Sequence, residues 1–296
     1  FILKSGKIFT SISLDEIKSA SKNFIVKSTS NEADVQFFPE SGDLVSGIRS
    51  NVGFKVLGAD GLGMKVSGYI TDQNNLKLTE FKSEHAGMGV FRLQPQIADK
   101  YTAHIHFDDG SERTFPLPLV TAKGYVLSAN NADAENLQIK ISTTEPPKPD
   151  AQLTLVAQSN GRVLFVSKNK MDAQTFTANL PKSRFPTGIL QLTLFSTKNE
   201  PVAERLVFIN HSDFLKINLS TAKSSFAKRE KVKLMIDAID AESIGTIGSF
   251  SIAVIDETKV PINESDEVTI VSNFLLSSDL RGFIEQPNYY FNEIKQ

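Results

Sequence analysis

Apolar residues recur at every second position in short runs along most of this chain, and no other feature of the sequence constrains the fold as strongly. Tyr101, Ala103 and Ile105 alternate with polar residues, so their side chains leave one face of an extended strand. Turn-forming triplets, such as Ala-Asp-Gly at 59–61 and Asp-Asp-Gly at 108–110, separate such runs at intervals of about 8–12 residues. This spacing predicts sandwiches of short antiparallel strands.

The alternating pattern starts anew twice along the chain. A chain of 296 residues has room for two or three domains, at about 100–200 residues each. We therefore expect an all-β fold of tandem immunoglobulin-like antiparallel β-sandwiches with minor short helices. The sandwiches are predicted at 34–123, 124–213 and 214–296, the last with a C-terminal helix and tail, while 1–33 is predicted to be a linker with a short helix.

Two short helices are predicted, one towards each end of the chain. Ser13 and Glu16 fit a capping box, in which each side chain accepts a hydrogen bond from the backbone amide of the other, and this helix would run over 14–22. The second helix is predicted over 273–280, with Gly282 just beyond it, because glycine readily adopts the left-handed conformation that ends helices.

The stretch "VQFFPESGDLVSG" at 35–47 predicts the start of the first sandwich. Its strand should end at Pro39, since proline has no backbone N–H for the ladder. A turn should follow in which Gly42 supplies a positive φ and the acids Glu40 and Asp43 serve as turn residues.

Two further local structures are predicted downstream. Asn160-Gly161 accepts positive φ at both central turn positions, which favours a tight β-hairpin. The run 249–255 carries apolar residues in strict alternation and predicts a strand of the third sandwich.

The composition excludes several kinds of chemistry and of partner. The absence of cysteine removes disulfides, cysteine nucleophiles and thiolate metal sites. The net charge is −2 with both signs mixed along the chain, so no nucleic acid and no anionic membrane surface is expected as a partner. No apolar run reaches the about 18–20 residues of a membrane-spanning helix. The chain starts at Phe1 and carries no signal peptide, so we interpret it as a fragment of a longer protein.

His104 and His106 are the only candidate metal ligands that the spacing suggests. They lie two apart in a predicted strand, so both imidazoles leave the same face and could bind Zn²⁺ with a third ligand such as Asp108. The alternative is that both are polar residues of a solvent-facing strand surface. No serine-hydrolase elbow, HExxH motif or dinucleotide fingerprint is present, so no catalytic residue, no cofactor and no enzymatic activity are expected.

Three quoted stretches of the first unit resemble a known family. "VQFFPESGDLVSG", "NVGFKVLGADGLGMKVSGYI" and "HAGMGVFRLQP" together resemble the macroglobulin-type (MG2) domain of α2-macroglobulin-related bacterial proteins. In the third unit, "GSFSIAVIDETKV" resembles a strand of that family. "FLLSSDLRGFIEQPNYYF" is similar to the segment that closes such an array ahead of a TonB-dependent receptor plug domain in Gram-negative envelope proteins.

The resemblance implies a non-catalytic scaffold in the cell envelope, periplasmic or associated with the outer membrane. It implies contacts with protein partners, through an exposed strand edge or through coupling to an outer-membrane TonB-dependent transport system. The alternative is that these are the N-terminal domains of a macroglobulin-like protease inhibitor, whose thioester needs a Cys-Gly-Glu-Gln motif that this cysteine-free chain lacks. A metal site or enzyme centred on His104 and His106 is the third hypothesis.

Overall fold

Antiparallel sheets dominate the structure, a computed structural model that describes residues 6–13, 19–26, 32–146, 151–256, 258–260 and 263–291. Short helical segments make up a small remainder. The fold is therefore all-β with open sandwiches and minor short helices, which confirms the predicted class.

A hairpin occupies the region that was expected to be helical. Strands β1 (Gly6–Ser13) and β2 (Ser19–Val26) pair antiparallel along their whole length. The helix predicted over 14–22 is therefore wrong for 19–22, while 14–18 lies outside the described residues. A ladder that pairs backbone groups along both segments outweighs the two hydrogen bonds that a capping box offers.

The strands between residues 34 and 121 build the first sandwich. In chain order they are β3 (Asp34–Pro39), β4 (Leu44–Val45), β5 (Ser50–Leu57), β6 (Val66–Thr71), β7 (Lys77–Lys82), β8 (Met88–Leu93), β9 (Thr102–Phe107), β10 (Glu112–Pro116) and β11 (Val120–Thr121). One sheet has the order β3-β5-β8 and the other has the order β10-β9-β6-β7. The short strands β4 and β11 pair in parallel.

The alternating pattern places the core of this sandwich as expected. Phe54, Ile70 and Ile105 are fully or almost fully buried in it, and strands from both sheets contribute to the cluster. Phe37 packs against the same cluster, whereas its neighbour Phe38 lies on the exposed side of β3. Successive side chains of the opening strand thus lie on opposite faces, as period two requires.

Seven strands between residues 125 and 209 form two further sheets. They are β12 (Tyr125–Asn130), β13 (Asn136–Thr143), β14 (Gln152–Ser159), β15 (Arg162–Lys170), β16 (Thr175–Pro181), β17 (Gly188–Phe195) and β18 (Pro201–Ile209), with a 3₁₀ turn at Lys182–Arg184 after β16. The sheet orders are β12-β13-β16 and β15-β14-β17-β18. Asn160 and Gly161 have φ values of 49° and 72° between β14 and β15, which confirms the predicted hairpin.

The chain divides by its contacts into two compact units. One comprises Phe1–Lys182 with Gln191–Val207, and the other comprises Ser183–Leu190 with Phe208–Gln296. The predicted division into three sandwiches at 34–123, 124–213 and 214–296 stays a prediction.

The second unit carries the last two strands, β19 (Lys216–Thr221) and β20 (Leu234–Ile239), which pair with each other. The strand predicted over 249–255 is wrong, because its described residues 249–255 have no strand assignment. Alternation defines which side chains share a face, but a strand also needs a neighbour for its backbone groups.

A helical segment closes the described part of the second unit. It consists of α1 (Ile270–Ser272), a π-helical turn at Asn273–Ser277 and a 3₁₀ turn at Pro287–Phe291. The helix predicted over 273–280 is present over 273–277 but begins earlier, because Thr269 and Ser272 form a capping box that sets its start. Residues 278–280 are not helical. No helix among the described residues has the length and apolar character needed to cross a membrane.

Candidate functional site

The outer face of the sheet β10-β9-β6-β7 brings together the histidines that the sequence singled out. His104 and His106 project from β9 on the side opposite to the buried Ala103 and Ile105, as period two requires. The shared face predicted for the two imidazoles is therefore confirmed.

Glu112 on β10 lies between the two imidazoles and was missed from the sequence. Its Oε1 is 3.0 Å from Nδ1 of His104, and its Oε2 is 3.5 Å from Nδ1 of His106. The hairpin register pairs Glu112 with His106, which follows from the Asp-Asp-Gly turn that joins β9 to β10. Asp108, the third metal ligand that the sequence suggests, lies in that turn. The short length of the β9–β10 loop sets this register, and it was the signal in the sequence that could have identified Glu112.

Thr71 completes a hydroxyl–imidazole–carboxylate series with His104 and Glu112. Its Oγ1 is 3.2 Å from Nε2 of His104. A carboxylate only accepts hydrogen bonds, so Nδ1 of His104 donates to Glu112, and in the neutral imidazole Nε2 then accepts from the Thr71 hydroxyl. The order of groups is that of a nucleophile, a base and an orienting acid. Thr71 is only 3% exposed, however, so its hydroxyl is largely shielded from solvent.

The same face shows no metal-binding group. Within the part of the chain that the structure describes, no three His, Cys, Asp or Glu side chains are arranged to hold a metal ion. The ring nitrogens Nδ1 and Nε2 of His104 are both engaged, by Glu112 and Thr71. Among the described residues, no third side chain is therefore placed to bind a metal ion together with His104 and His106.

Tyr69 occupies the centre of this outer face. Its ring stacks on the imidazole of His104 at 4.6 Å between centroids and 6° between planes, and the Lys77 ammonium lies 5.0 Å from the ring centroid. An open cavity of about 470 Å³ lies beside it, lined also by Ser67 and Glu80. Tyr69 therefore contacts both an imidazole and an ammonium while it also lines this cavity.

Glu40 and Ser41 make the contact between the first sandwich and the strands that follow it. The Ser41 hydroxyl donates to the carbonyl of Leu127 at 2.8 Å and accepts from its amide at 2.7 Å. Glu40 is only 5% exposed, and its Oε1 lies 3.6 Å from Nε of Arg205 on β18. Glu40 lies in the predicted turn after β3, and the burial of its carboxylate is a further role that the sequence did not indicate. Gly42 has the expected positive φ, at 108°.

The amide groups of Asn51 hold the other oxygen of the Glu40 carboxylate. The backbone N–H and the side-chain Nδ2 of Asn51 donate to Oε2 of Glu40 at 3.3 Å and 3.2 Å. Glu40 thus joins β5 to β18 across the inter-sheet contact. Only tertiary proximity identifies this role, since Arg205 is 165 positions away along the chain (205 minus 40).

The hairpin β19–β20 presents an apolar face to solvent. Ile217 and Leu219 on β19 share this face with Leu234 and Ile236 on β20, because the register pairs Leu219 with Ile236. Leu219 is 63% exposed, and every residue of β19 is exposed. In the described part of the chain, β19 pairs with no strand other than β20.

Comparisons with known proteins give a distant structural likeness and no family. Neither the comparison with protein families nor that with curated proteins finds a match. Among solved structures, domains 4–9 of the surface layer protein SbsC are similar at 12% identity and a TM-score of 0.30. The match covers 81% of this chain and 42% of that one, so the chain spans about two fifths of its length. At this TM-score the likeness assigns neither a family nor a role.

The loop ahead of β13 provides a pH-dependent element of stability. Asp133 accepts hydrogen bonds from the backbone amides of Asn136 and Glu135 at 2.6 Å and 2.9 Å, which lower the pKa of its carboxyl below the usual value. A lowered pKa in the folded protein contributes stability above the unfolded pKa, and this contribution is lost as the pH falls through the folded value.

Substituting Asp133→Asn is therefore expected to destabilise the protein at neutral pH and to matter less in acid. Asparagine retains an acceptor oxygen but lacks the charge, so the substitution isolates the charged form. Thermal unfolding of both proteins between about pH 2 and pH 7 measures the difference. A difference that stays constant across this range would contradict the assignment.

Proposed function

We propose that this chain is a non-catalytic scaffold and binding region of a cell-envelope protein, and that the β19–β20 hairpin receives a protein partner. The apolar face formed by the exposed Ile217, Leu219 and Leu234 with the half-buried Ile236 is the observation that carries this proposal. The partner adds an extended segment along β19 and covers that face.

A two-stranded hairpin is at best marginally stable in water and gains stability from a third strand or from a covering layer. Among the described residues β19 pairs with no strand but β20, so its outer edge offers N–H and C=O groups that an extended peptide can pair by strand addition. Gly245 forms an isolated bridge with Ile239 at the end of β20, so β19 provides the more open edge.

The resemblance to macroglobulin-type domains supports the more specific form of the proposal. In that form the region is part of an MG2-like array, is periplasmic or associated with the outer membrane, and contacts a TonB-dependent transport system. The stretch 35–47 carries the resemblance, and its Glu40-Ser41 pair joins successive sheets, a role that suits a stacked array. The cysteine-free sequence supports a scaffold over a thioester-dependent protease inhibitor.

Site-specific photo-crosslinking in the native cell envelope tests the proposed docking face. A photoreactive residue is placed at Leu219 on the apolar face or at Ser220 on the opposite face, both in the exposed strand β19. We expect the probe at Leu219 to give one protein adduct in several-fold higher yield than the probe at Ser220. Mass spectrometry of the adduct identifies the partner.

Matched double variants separate the apolar face from a general effect of charge. Ile217→Glu with Leu219→Glu should abolish formation of the complex, because it places two carboxylates in the buried contact. Asn218→Glu with Ser220→Glu adds the same charge to the other face and should leave the complex intact. Equal adducts from both faces, or adducts only with a second copy of this chain, would overturn the proposal.

A further inference from the structure

A polar cleft of about 340 Å³ lies where the β5 and β8 strands of the first sandwich meet β12 and β13. Its wall on the first side carries Glu40, Asn51 and Arg92, and its wall on the second side includes Asn130, Gln138 and Lys140. The volume lies within the about 300–1,000 Å³ typical of small-molecule sites. It shares no lining residue with the hairpin β19–β20 or with the outer face of the sheet β10-β9-β6-β7 that carries His104 and His106, the histidine face.

The charges that line the cleft favour an anion. Arg92 and Lys140 contribute one cation to each wall. Glu40 is the single acid among the lining residues, and its Oε1 faces Arg205 at 3.6 Å, so its charge is already compensated. Among the described residues, the Lys140 ammonium has no hydrogen-bonding or ion-pair partner. The two cations therefore leave a net positive cleft.

Side-chain amides in the cleft suit hydroxyl groups beside that anion. The Gln138 carboxamide has no partner among the described residues, and a carboxamide offers both donors and an acceptor. Asn130 uses its Oδ1 to accept a hydrogen bond from the backbone amide of Ala132 at 3.1 Å. Its side-chain Nδ2 is then the group that donates to a ligand. Arg92 donates through Nε to Oδ1 of Asn51 at 3.3 Å, so the guanidinium is held in place.

We propose that this cleft binds a polyhydroxy carboxylate, with the carboxylate between Arg92 and Lys140 and the hydroxyl groups on the amides of Gln138 and Asn130. A guanidinium can hold a carboxylate through two parallel hydrogen bonds, and an ammonium adds a point charge. Two kinds of compound carry a carboxylate beside several hydroxyl groups: a free sugar acid and a uronic acid residue of a polysaccharide.

The bound ligand strengthens the contact between the two walls. Arg92 is linked through Asn51 to Glu40, and Glu40 is linked to Arg205 on β18. A ligand that touches both walls binds only when they are together, so it raises the unfolding temperature by mass action.

Isothermal titration calorimetry and thermal unfolding of the full chain test the site with defined probes. Gluconate represents a free sugar acid, a galacturonic acid trimer represents the polysaccharide, and glucose and inorganic phosphate serve as comparison ligands. We expect gluconate or the trimer to bind and to raise the unfolding temperature. Lys140→Gln should weaken that binding about tenfold, because one charge-assisted hydrogen bond is lost.

A matched variant and the comparison ligands decide the outcome. Lys168→Gln removes the same charge from an exposed position on β15 and should leave binding unchanged. The stronger of gluconate and the trimer identifies the source of the carboxylate. Failure of both to bind, equal binding of glucose or phosphate, or a Lys140→Gln protein that binds as tightly as the unchanged one would each overturn the proposal.

Discussion

Replacing Arg205 with alanine is expected to lower the free energy of unfolding by about 2 kcal/mol, because the buried carboxylate of Glu40 loses its cation. The donors from Asn51 remain, but they are neutral and satisfy only one carboxylate oxygen. The Arg205 side chain is 40% exposed, so solvent screening makes the loss smaller than that of a fully buried pair. Urea denaturation followed by circular dichroism measures the change.

A double-mutant cycle tests whether the effect of Arg205→Ala comes from the ion pair. Adding Glu40→Gln removes the unpaired charge, so the double variant should be more stable than Arg205→Ala alone. Arg162→Ala at an exposed position of β15 is the matched control and should change stability by no more than about 0.5 kcal/mol. If Arg205→Ala unfolds like Arg162→Ala, the buried pair contributes nothing to the inter-sheet contact.

Substituting Gly68→Ala is expected to destabilise the protein by about 3 kcal/mol, the upper end of the usual cost of overpacking. A Cβ at this position of β6 would lie 2.1 Å from the carbonyl oxygen of His104 and 2.7 Å from Cζ of Phe81. The ring of Phe81 can move, whereas the carbonyl of His104 belongs to the neighbouring strand. The pairing of β6 with β9 must therefore shift, and the stacking of Tyr69 on His104 should be lost.

Gly53→Ala provides the control for this substitution within the same sandwich. A Cβ at Gly53 would lie 3.7 Å and 3.9 Å from atoms of Phe38, which are ordinary contacts. This variant should differ from the unchanged protein by no more than about 1 kcal/mol, since alanine also reduces the entropy of the unfolded chain. Denaturation midpoints give the stabilities, and NMR signals of the Tyr69 ring report the stacking. Similar midpoints for the two variants would contradict the close backbone approach at Gly68.

The Glu40–Arg205 contact and the close backbone approach at Gly68 have different consequences for the proposed scaffold. The Glu40–Arg205 pair and the Ser41–Leu127 hydrogen bonds hold neighbouring sheets together, and so they keep the walls of the polar cleft in place. Gly68 instead acts within one sheet, where it permits the spacing that brings Tyr69 onto His104. Loss of the Glu40–Arg205 pair should weaken ligand binding in the cleft. Substitution of Gly68 should instead alter the histidine face.

Part of the histidine face could be predicted from the sequence. Period two along β9 was sufficient to place His104 and His106 on the outer face, since that depends only on local geometry. Glu112 and Thr71 reach the imidazoles from two neighbouring strands, so their contribution depends on register and strand order. The clash at Gly68 and the burial of Glu40 likewise depend on which strands meet.

The sequence by itself determined the all-β class, the tight turn at Asn160-Gly161 and the absence of any thiol chemistry. These properties follow from alternation, from turn residues and from composition, each of which acts over a few residues. The tertiary structure decided that 19–22 is a strand, that 249–255 pairs with none, and that Glu40 is buried against Arg205. Strand pairing and burial join groups far apart in the chain, and local patterns carry no information on which distant partner is near.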